Sequence, residues 1–166
     1  MTTQTDPRSL RFFMTAALAV SILTGCSNPI GPFSGGRLSG EEASWPPTWG
    51  AVADQAEAQL ETRPEDPYSI NIWFAVLDDH AYLSSSLLYG PHEPEEREWV
   101  RNVNADPRVR FRVAGFVYPA RVEVVEDPAL KARVLDAFRV KYPEMESERE
   151  SAARVFRLVG PRASGS

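Results

Sequence analysis

The strongest constraint on the fold is a run of strict alternation followed at once by a second extended segment. In RVRFRV, residues 108–113, apolar residues alternate with arginines. Side chains of a β-strand point to opposite faces with a period of two, so this pattern predicts a strand with one buried face and one solvated, arginine-bearing face. Gly115 turns the chain, and residues 116–126 return as a partner strand, where Glu123 is placed to neutralise the arginines. Pro119 within that strand indicates an edge or a bulge.

Four further segments complete a predicted sheet. Residues 68–77, YSINIWFAVL, are rich in β-branched and aromatic residues and predict one long strand. AYLSSS, residues 81–86, follows at hairpin distance, with residues 78–80 in the turn. Residues 51–63 predict a short helical turn followed by a strand, and residues 154–160, RVFRLVG, close the domain as the last strand.

Two helices interrupt these strands. The first begins near Pro94, among glutamates that favour the positive end of a helix dipole, and ends at Asp106-Pro107. The second begins at Asp127-Pro128 and carries an apolar stripe of period four through about residue 141. Two helices are too few for a doubly wound fold, so the order predicts a mainly β antiparallel sheet closed into a split barrel, which removes exposed edges.

The single cysteine follows an apolar segment near the start of the chain. Arg8 and Arg11 precede an uncharged run at residues 12–23, which is shorter than the roughly 20 residues that span a bilayer. The run is typical of a secretory signal peptide. LTGC, residues 23–26, resembles the lipobox of bacterial lipoproteins. The resemblance implies that Cys26 receives a diacylglyceryl group and becomes the acylated N-terminus after cleavage.

Export with a lipid anchor determines the expected organisation. We expect a lipoprotein signal peptide at residues 1–25, a flexible Gly/Pro/Ser-rich tether at 26–44, a split-barrel domain at 45–160 and a loose tail at 161–166. Cleavage removes two Arg and one Asp and changes the net charge from -5 to -6. This acidity argues against a nucleic-acid partner. The predicted location is the bacterial cell envelope.

Several ordered stretches resemble one superfamily. NIWFAVLDDHAYLSSS, WVRNVNADPRVRFRV, YPARVEVVEDPALKARVLDAF and KYP are similar to the flavin-binding split-barrel proteins. That superfamily includes pyridoxamine-phosphate oxidase-like and deazaflavin-dependent reductase-like members, and the resemblance spans about residues 57–159. It implies an FMN-binding-like split β-barrel, FMN or a deazaflavin as candidate cofactor, and a homodimer as candidate assembly.

The same resemblance selects five candidate binding residues. The family's cofactor phosphate lies near the end of the hairpin's second strand and in the loop after it, which points to Ser84, Ser85, Ser86 and Arg97. Asn71 would face the ring system. Serine hydroxyls donate to phosphate oxygens, and a guanidinium offers a bidentate fork. This sequence departs from the family pattern, because glutamates at 93, 95, 96 and 98 surround the arginine and would repel a phosphate unless they point outward.

Each candidate residue also has a purely structural interpretation. The serines fit a strand end, Arg97 fits a helix-surface cation paired with a neighbouring Glu, and Asn71 fits a strand residue facing the barrel lumen. His80 and His92 lack ligand spacing, so no metal site is expected. Three functions follow in order of preference: a tethered module without flavin that binds an unknown ligand or protein partner in the groove or at an edge, an FMN- or deazaflavin-dependent oxidoreductase, and a structural envelope protein.

Overall fold

A computed structural model describes residues 28–46, 48–88, 92–145 and 148–161, apart from the side chains of residues 148 and 149. The signal peptide, Cys26 and residues 162–166 of the predicted tail lie outside these ranges. The elements run in the order β1 (Glu41–Glu42), β2 (Ala58–Thr62), β3 (Tyr68–Ile72), β4 (Phe74–Leu77), β5 (His80–Ser84), α1 (Glu98–Ala105), β6 (Arg108–Val113), β7 (Phe116–Val124), α2 (Pro128–Lys141) and β8 (Val155–Val159). No helix in the described part of the chain is long and apolar enough to cross a bilayer.

The sheet is antiparallel and nearly closed. Its strands follow the path β3-β2-β6-β7-β8-β5-β4, and β1 pairs with β7 in parallel. The two ends of the path, β3 and β4, are consecutive in the chain and are separated only by Trp73. One interrupted strand therefore joins both ends of the sheet and rolls it into a barrel. The predicted mainly β split barrel with inserted helices is confirmed.

The β6–β7 hairpin forms as its alternation predicts. The apolar residues Val109, Phe111 and Val113 are buried, and β6 and β7 pair along the whole of β6. Ala114 and Gly115 form the turn with φ values of 50° and 87°, as a two-residue type I′ turn requires. Pro119 lies between the stretch of β7 paired with β1 and the stretch paired with β8. Its missing N–H is thus accommodated inside a central strand rather than at an edge.

The arginines of β6 find different partners from the one predicted. Arg110 donates to Glu61 at 2.8 Å and Arg112 donates to Gln59 at 2.8 Å, both on β2, whereas Glu123 pairs with Arg157 of β8. The reason is topological. Strand β6 pairs with β7 on one side and with β2 on the other, and the β2–β6 register sets Glu61 opposite Arg110. Sequence order gave no sign that β2 pairs there.

The predicted strand over residues 68–77 is broken at Trp73. Phe74, the first residue of β4, is held from outside the sheet: its N–H donates to the Tyr142 hydroxyl at 3.3 Å, and its carbonyl accepts from Lys141 Nζ at 3.0 Å. The predicted hairpin that follows is confirmed between β4 and β5. Asp78 and Asp79 both have positive φ and make the two-residue turn, while His80 already belongs to β5.

The helices cover different parts of the barrel. In α1, Trp99, Val100 and Val103 are buried in the main core, which continues into the barrel interior. The helix begins at Glu98 rather than at Pro94, because Arg97 has an extended backbone that separates α1 from a single 3-10 turn at Pro94–Glu96. The second helix begins at its predicted cap, since the Asp127 carboxylate accepts from the N–H groups of the first turn. Its buried residues form a second cluster against β4, β5 and β8.

The structure differs from the predicted flexible tether over residues 28–44, which we name the N-terminal strap. Gly35 and Ser69 of β3 exchange two backbone hydrogen bonds of 2.8 and 2.9 Å. The Asn28 Nδ2 donates to the Ser39 Oγ, and the Ser39 backbone N–H donates to the Asn28 Oδ1, both at 2.9 Å, so the strap folds on itself. The strap then enters the sheet as β1. Its Gly/Pro/Ser composition therefore serves tight turns against the sheet rather than a free linker.

A buried carboxylate fastens the strap. Glu61 on β2 is 2% exposed, and its Oε2 accepts from the Leu38 N–H at 2.7 Å and from Arg110 at 2.8 Å. Arg37 approaches its other oxygen at 3.6 Å. A buried charge is tolerated only when it is paired and hydrogen-bonded. Because one of the bonds that stabilise the Glu61 carboxylate comes from Leu38 of the strap, Glu61 holds the strap against the barrel.

Candidate functional site

Two adjoining grooves lie where β3, the end of β5 and the start of α1 meet. The first measures about 240 Å³ and the second about 410 Å³, and they share Ile70, Asn71, Arg97 and Trp99. Gly31, Pro32 and Phe33 of the strap form a wall of the second groove. The sequence-predicted residues Asn71, Ser84, Ser86 and Arg97 all line the first groove, whereas Ser85 does not.

The three consecutive serines differ sharply in their surroundings. Ser84 is 7% exposed, and its hydroxyl has no hydrogen-bond partner among the described residues. Ser85 is fully buried, and its Oγ accepts from the Arg154 N–H at 2.7 Å, which locks the loop to the start of β8. Ser86 donates to the Glu150 carboxylate at 3.2 Å and accepts from the Leu88 N–H at 3.3 Å. Ser85 and Ser86 are thus used to shape the loop, and Ser84 alone of the three has a hydroxyl without a partner among the described residues.

Arg97 braces the same loop. Its Nε donates to the carbonyls of Ser85 and Ser86 at 3.2 and 2.7 Å. Burial lowers the pKa of the Arg97 guanidinium below its ordinary value, and the negative charge of the nearby Glu150 offsets only part of this effect. Glu150 is 1% exposed, and its Oε1 also accepts from the Leu87 N–H at 2.6 Å. The positive charge of Arg97 is therefore opposed from inside the protein by a buried carboxylate.

Asn71 bridges the sheet and the strap. Its Nδ2 donates to the Gly31 carbonyl at 3.0 Å, and its Oδ1 accepts from Gln59 at 3.0 Å. Both ends of the amide are engaged, so Asn71 holds the strap turn beside the groove. Each end of the amide keeps one further hydrogen-bonding site, the second N–H of Nδ2 and the second lone pair of Oδ1.

The apolar part of the first groove comes from Ile70, Ile72 and two tryptophans. Trp99 also packs edge-on against Phe156 in the core, with ring centroids 5.2 Å apart. Trp73, at the break between β3 and β4, stacks on Tyr142 at 4.9 Å. Both indoles are held by these ring contacts, and they give the groove lining a rigid aromatic part of the kind that small-molecule sites use.

The charge of the grooves bears on the implied cofactor. Among the described residues that line them, Arg97 is the only cation, against Glu57, Glu96 and Glu98. The negative charge of Glu98 is partly offset by the Arg63 guanidinium 3.7 Å away, and the Glu96 carboxylate accepts a hydrogen bond from the His92 N–H. Of the donors implied for a cofactor phosphate, Ser85 and Ser86 are occupied by the protein and Arg97 is opposed by carboxylates, which leaves only the Ser84 hydroxyl without a partner among the described residues. The residues present do not fit a phosphate dianion.

The sequence did not mark Trp73, which lines the first groove, or Glu150, which lies beside Arg97 and lines neither groove. Trp73 sat in the middle of a predicted continuous strand, and no local pattern marked the break that turns it toward the groove. Glu150 belonged to a charged run predicted as a loop or short helix, where nothing distinguished it from solvated neighbours. In the described part of the chain no group of three or more His, Cys, Asp or Glu could hold a metal ion.

Comparison with known proteins places the chain by its fold. No family model and no curated protein matches it. It is similar to the solved structure of the conserved hypothetical protein Rv2991 from Mycobacterium tuberculosis, at 20% identity and a TM-score of 0.52, over 75% of this chain and 87% of that one. It is also similar to an F420-H2-dependent reductase, FDR-A, at 16% identity and a TM-score of 0.51, over 63% of this chain and 95% of that one.

A third similar structure is that of a domain-swapped dimer, at 16% identity and a TM-score of 0.53, over 64% of this chain and 81% of that one. At such identities the likeness establishes a shared fold and nothing finer, because this kind of barrel carries unrelated functions. The function must be argued from the groove.

Proposed function

We propose that this protein is a membrane-anchored binding module whose split barrel holds a planar, uncharged small molecule in the groove between β3, β5 and α1. The observation that carries the proposal concerns Ser84, a residue of the groove lining whose hydroxyl is buried and unpartnered among the described residues. Buried polar groups are nearly always hydrogen-bonded, so an unpartnered one beside an apolar groove suits a ligand's polar group.

Electrostatics supports an uncharged ligand. Glu57, Glu96 and Glu98 outnumber Arg97 along the two grooves, and Glu150 lies behind Arg97. A dianion entering this field meets net repulsion, which is strong in a partly desolvated site. A neutral planar ring avoids that repulsion and gains contact with Trp73 and Trp99.

An FMN- or deazaflavin-dependent oxidoreductase is the second candidate. The similarity to a reductase named for F420-H2 favours it. In that function the cofactor's ring would supply the hydride chemistry and the protein would supply positioning. The occupied phosphate donors argue against it. Purified protein with a yellow flavin band that survives dialysis would favour this candidate over the first.

The anchor is proposed from the sequence. The lipobox at residues 23–26 supports acylation of Cys26 and export to the cell envelope. Mass spectrometry of the N-terminal peptide from the mature protein tests this directly. We expect an acylated Cys26 at the N-terminus, with the acyl mass abolished by Cys26→Ala. A mature chain that begins upstream of Cys26 with a free thiol would contradict the anchor.

Riboflavin, a planar ring system without a phosphate, is a suitable probe of the groove. We expect it to raise the melting temperature of the full chain, since a ligand present at about ten times its Kd stabilises the folded state by about 1.4 kcal/mol. Ser84→Ala should remove most of this shift. Ser69→Ala is the matched control, because Ser69 is another buried serine with an unpartnered hydroxyl but lines neither groove. Equal riboflavin shifts in both variants, or none in the wild type, would contradict a ligand site at Ser84.

A further inference from the structure

The strap carries two large apolar side chains that the fold leaves in solvent. Ile30 and Phe33 are 78% and 74% exposed, and their backbones pair across a tight turn through Gly31 and Pro32. A short turn that presents two apolar side chains together is unusual on an acidic domain, because the barrel itself gains nothing from their exposure. The exposure of these two apolar side chains indicates a surface that contacts a partner.

The chain itself indicates that partner. Only residues 27–29 separate Cys26 from Ile30, and Asn28 is already clamped to Ser39. At most about 3.5 Å per residue, the turn lies within about 14 Å of Cys26. This reach is about twice the thickness of a headgroup region, which is roughly 5–8 Å per leaflet, so the turn cannot move far from the leaflet surface. An anchor in the leaflet therefore keeps Ile30 and Phe33 at its surface.

We infer that the Ile30–Phe33 turn is a membrane-contacting tip that inserts its two apolar side chains into the lipid leaflet holding the Cys26 acyl groups. This inference rests on the proposed acylation of Cys26. It replaces the flexible tether expected from the sequence, because Asn28 is clamped to Ser39 within the strap and the strap is bound to the sheet from Gly31 onward. The acidic body gives no attraction to anionic lipids, so the contact is apolar.

The tip also belongs to the site. Gly31, Pro32 and Phe33 form a wall of the second groove, and Asn71 holds the Gly31 carbonyl. A groove bordered by a membrane-inserted turn lies beside the headgroups. A ligand of limited water solubility could thus reach Trp99 and Arg97 along the bilayer surface.

The test places a fluorescent probe at the tip without removing either apolar side chain. Acylation blocks Cys26, so Pro32→Cys introduces a single reactive thiol that can carry an environment-sensitive dye. The acylated full chain is reconstituted in phosphatidylcholine vesicles with or without bromine-labelled acyl chains. Val140→Cys is the control, since Val140 is an 84% exposed apolar residue on α2.

We expect the dye at position 32 to lose about half of its emission to bromine-labelled lipid, as burial 5–10 Å into the interface implies, and the dye at position 140 to lose none. Adding Ile30→Ser and Phe33→Ser to the Pro32→Cys chain should abolish the quenching while leaving the melting temperature unchanged. Equal quenching by bromine-labelled lipid at positions 32 and 140, in a chain shown to be acylated, would overturn the membrane-contacting tip without contradicting the acylation of Cys26. A mature chain with an unmodified Cys26 would overturn both.

Discussion

Two neighbouring serines, Ser84 in the lining of the first groove and Ser85 outside it, should respond very differently to the same small substitution. Ser85→Ala removes a hydroxyl that accepts a 2.7 Å bond from the Arg154 N–H, whereas Ser84→Ala removes a buried hydroxyl that makes no bond in the described structure. The two substitutions delete the same atom from adjacent residues. Any difference between them therefore reports on hydrogen bonding rather than on volume or side-chain entropy.

The expected magnitudes follow from the cost of an unpaired buried group. Without the Ser85 hydroxyl, the Arg154 N–H loses its partner at the start of β8, which costs about 1–3 kcal/mol. For a domain of this size that corresponds to a fall in melting temperature of about 3–10 °C. Ser84→Ala leaves nothing unpaired, so we expect a change within about 0.5 kcal/mol, or a small gain.

Urea unfolding of the full-length variants, followed by tryptophan fluorescence, measures both changes. Ser69→Ala supplies a second buried and unpartnered hydroxyl, and its effect should match that of Ser84→Ala. If Ser84→Ala destabilises the protein as much as Ser85→Ala, then Ser84 is satisfied in the free protein and is not reserved for a ligand. That result would remove the observation on which a ligand site at Ser84 depends.

Three further substitutions test the strap, the hairpin and the break between β3 and β4. Glu61→Ala should cost about 3 kcal/mol because it removes the buried carboxylate that both Arg110 and the Leu38 N–H need, and it should speed amide exchange at Leu38; unchanged exchange there would show that the carboxylate does not hold the strap. Ala114→Gly should stabilise by roughly 0.5–1 kcal/mol in urea unfolding, because it relieves a positive φ of 50° that no side-chain bond repays; a loss of stability would contradict this. Burial lowers the pKa of Lys141 from 10.5 to about 8 and raises the pKa of Tyr142 to about 12. Between pH 8 and 10 the unfolded Lys141 amine binds more protons than the folded one, so the stability of the wild type should rise relative to Lys141→Met in this window. Above pH 10 the unfolded tyrosine ionises first and the stability of both proteins should fall; parallel urea midpoints from pH 7 to 10 would refute the buried lysine.

Much of the barrel was predictable from local chemistry. The alternation in β6, the turn at Gly115 and the Asp127 cap each act within a few residues of the chain, so their patterns predicted the hairpin and α2 correctly. The fold class followed from the order of these elements, because an antiparallel sheet with two helices has few ways to cover its edges.

The features that could not be predicted from the sequence depend on contacts between residues far apart in the chain. The strap composition is typical of a linker, yet Glu61, some twenty residues further on, binds the Leu38 N–H and holds the strap. The break at Trp73 depends on Tyr142, nearly seventy residues away. Five site residues were selected by resemblance; the structure sets four of them along one groove and shows that hydrogen bonds within the protein occupy Asn71 and Ser86.

The central claim is that the groove accepts a planar ring and rejects a phosphate. Isothermal titration of the full chain with riboflavin and with FMN tests it most directly, because the two ligands share their ring and differ in the phosphate. At pH 7.5 we expect riboflavin to bind more tightly than FMN, and the gap to narrow at pH 5.5, below the second phosphate pKa of about 6. Tighter binding of FMN than of riboflavin at pH 7.5, with that advantage lost in Arg97→Gln, would contradict the account.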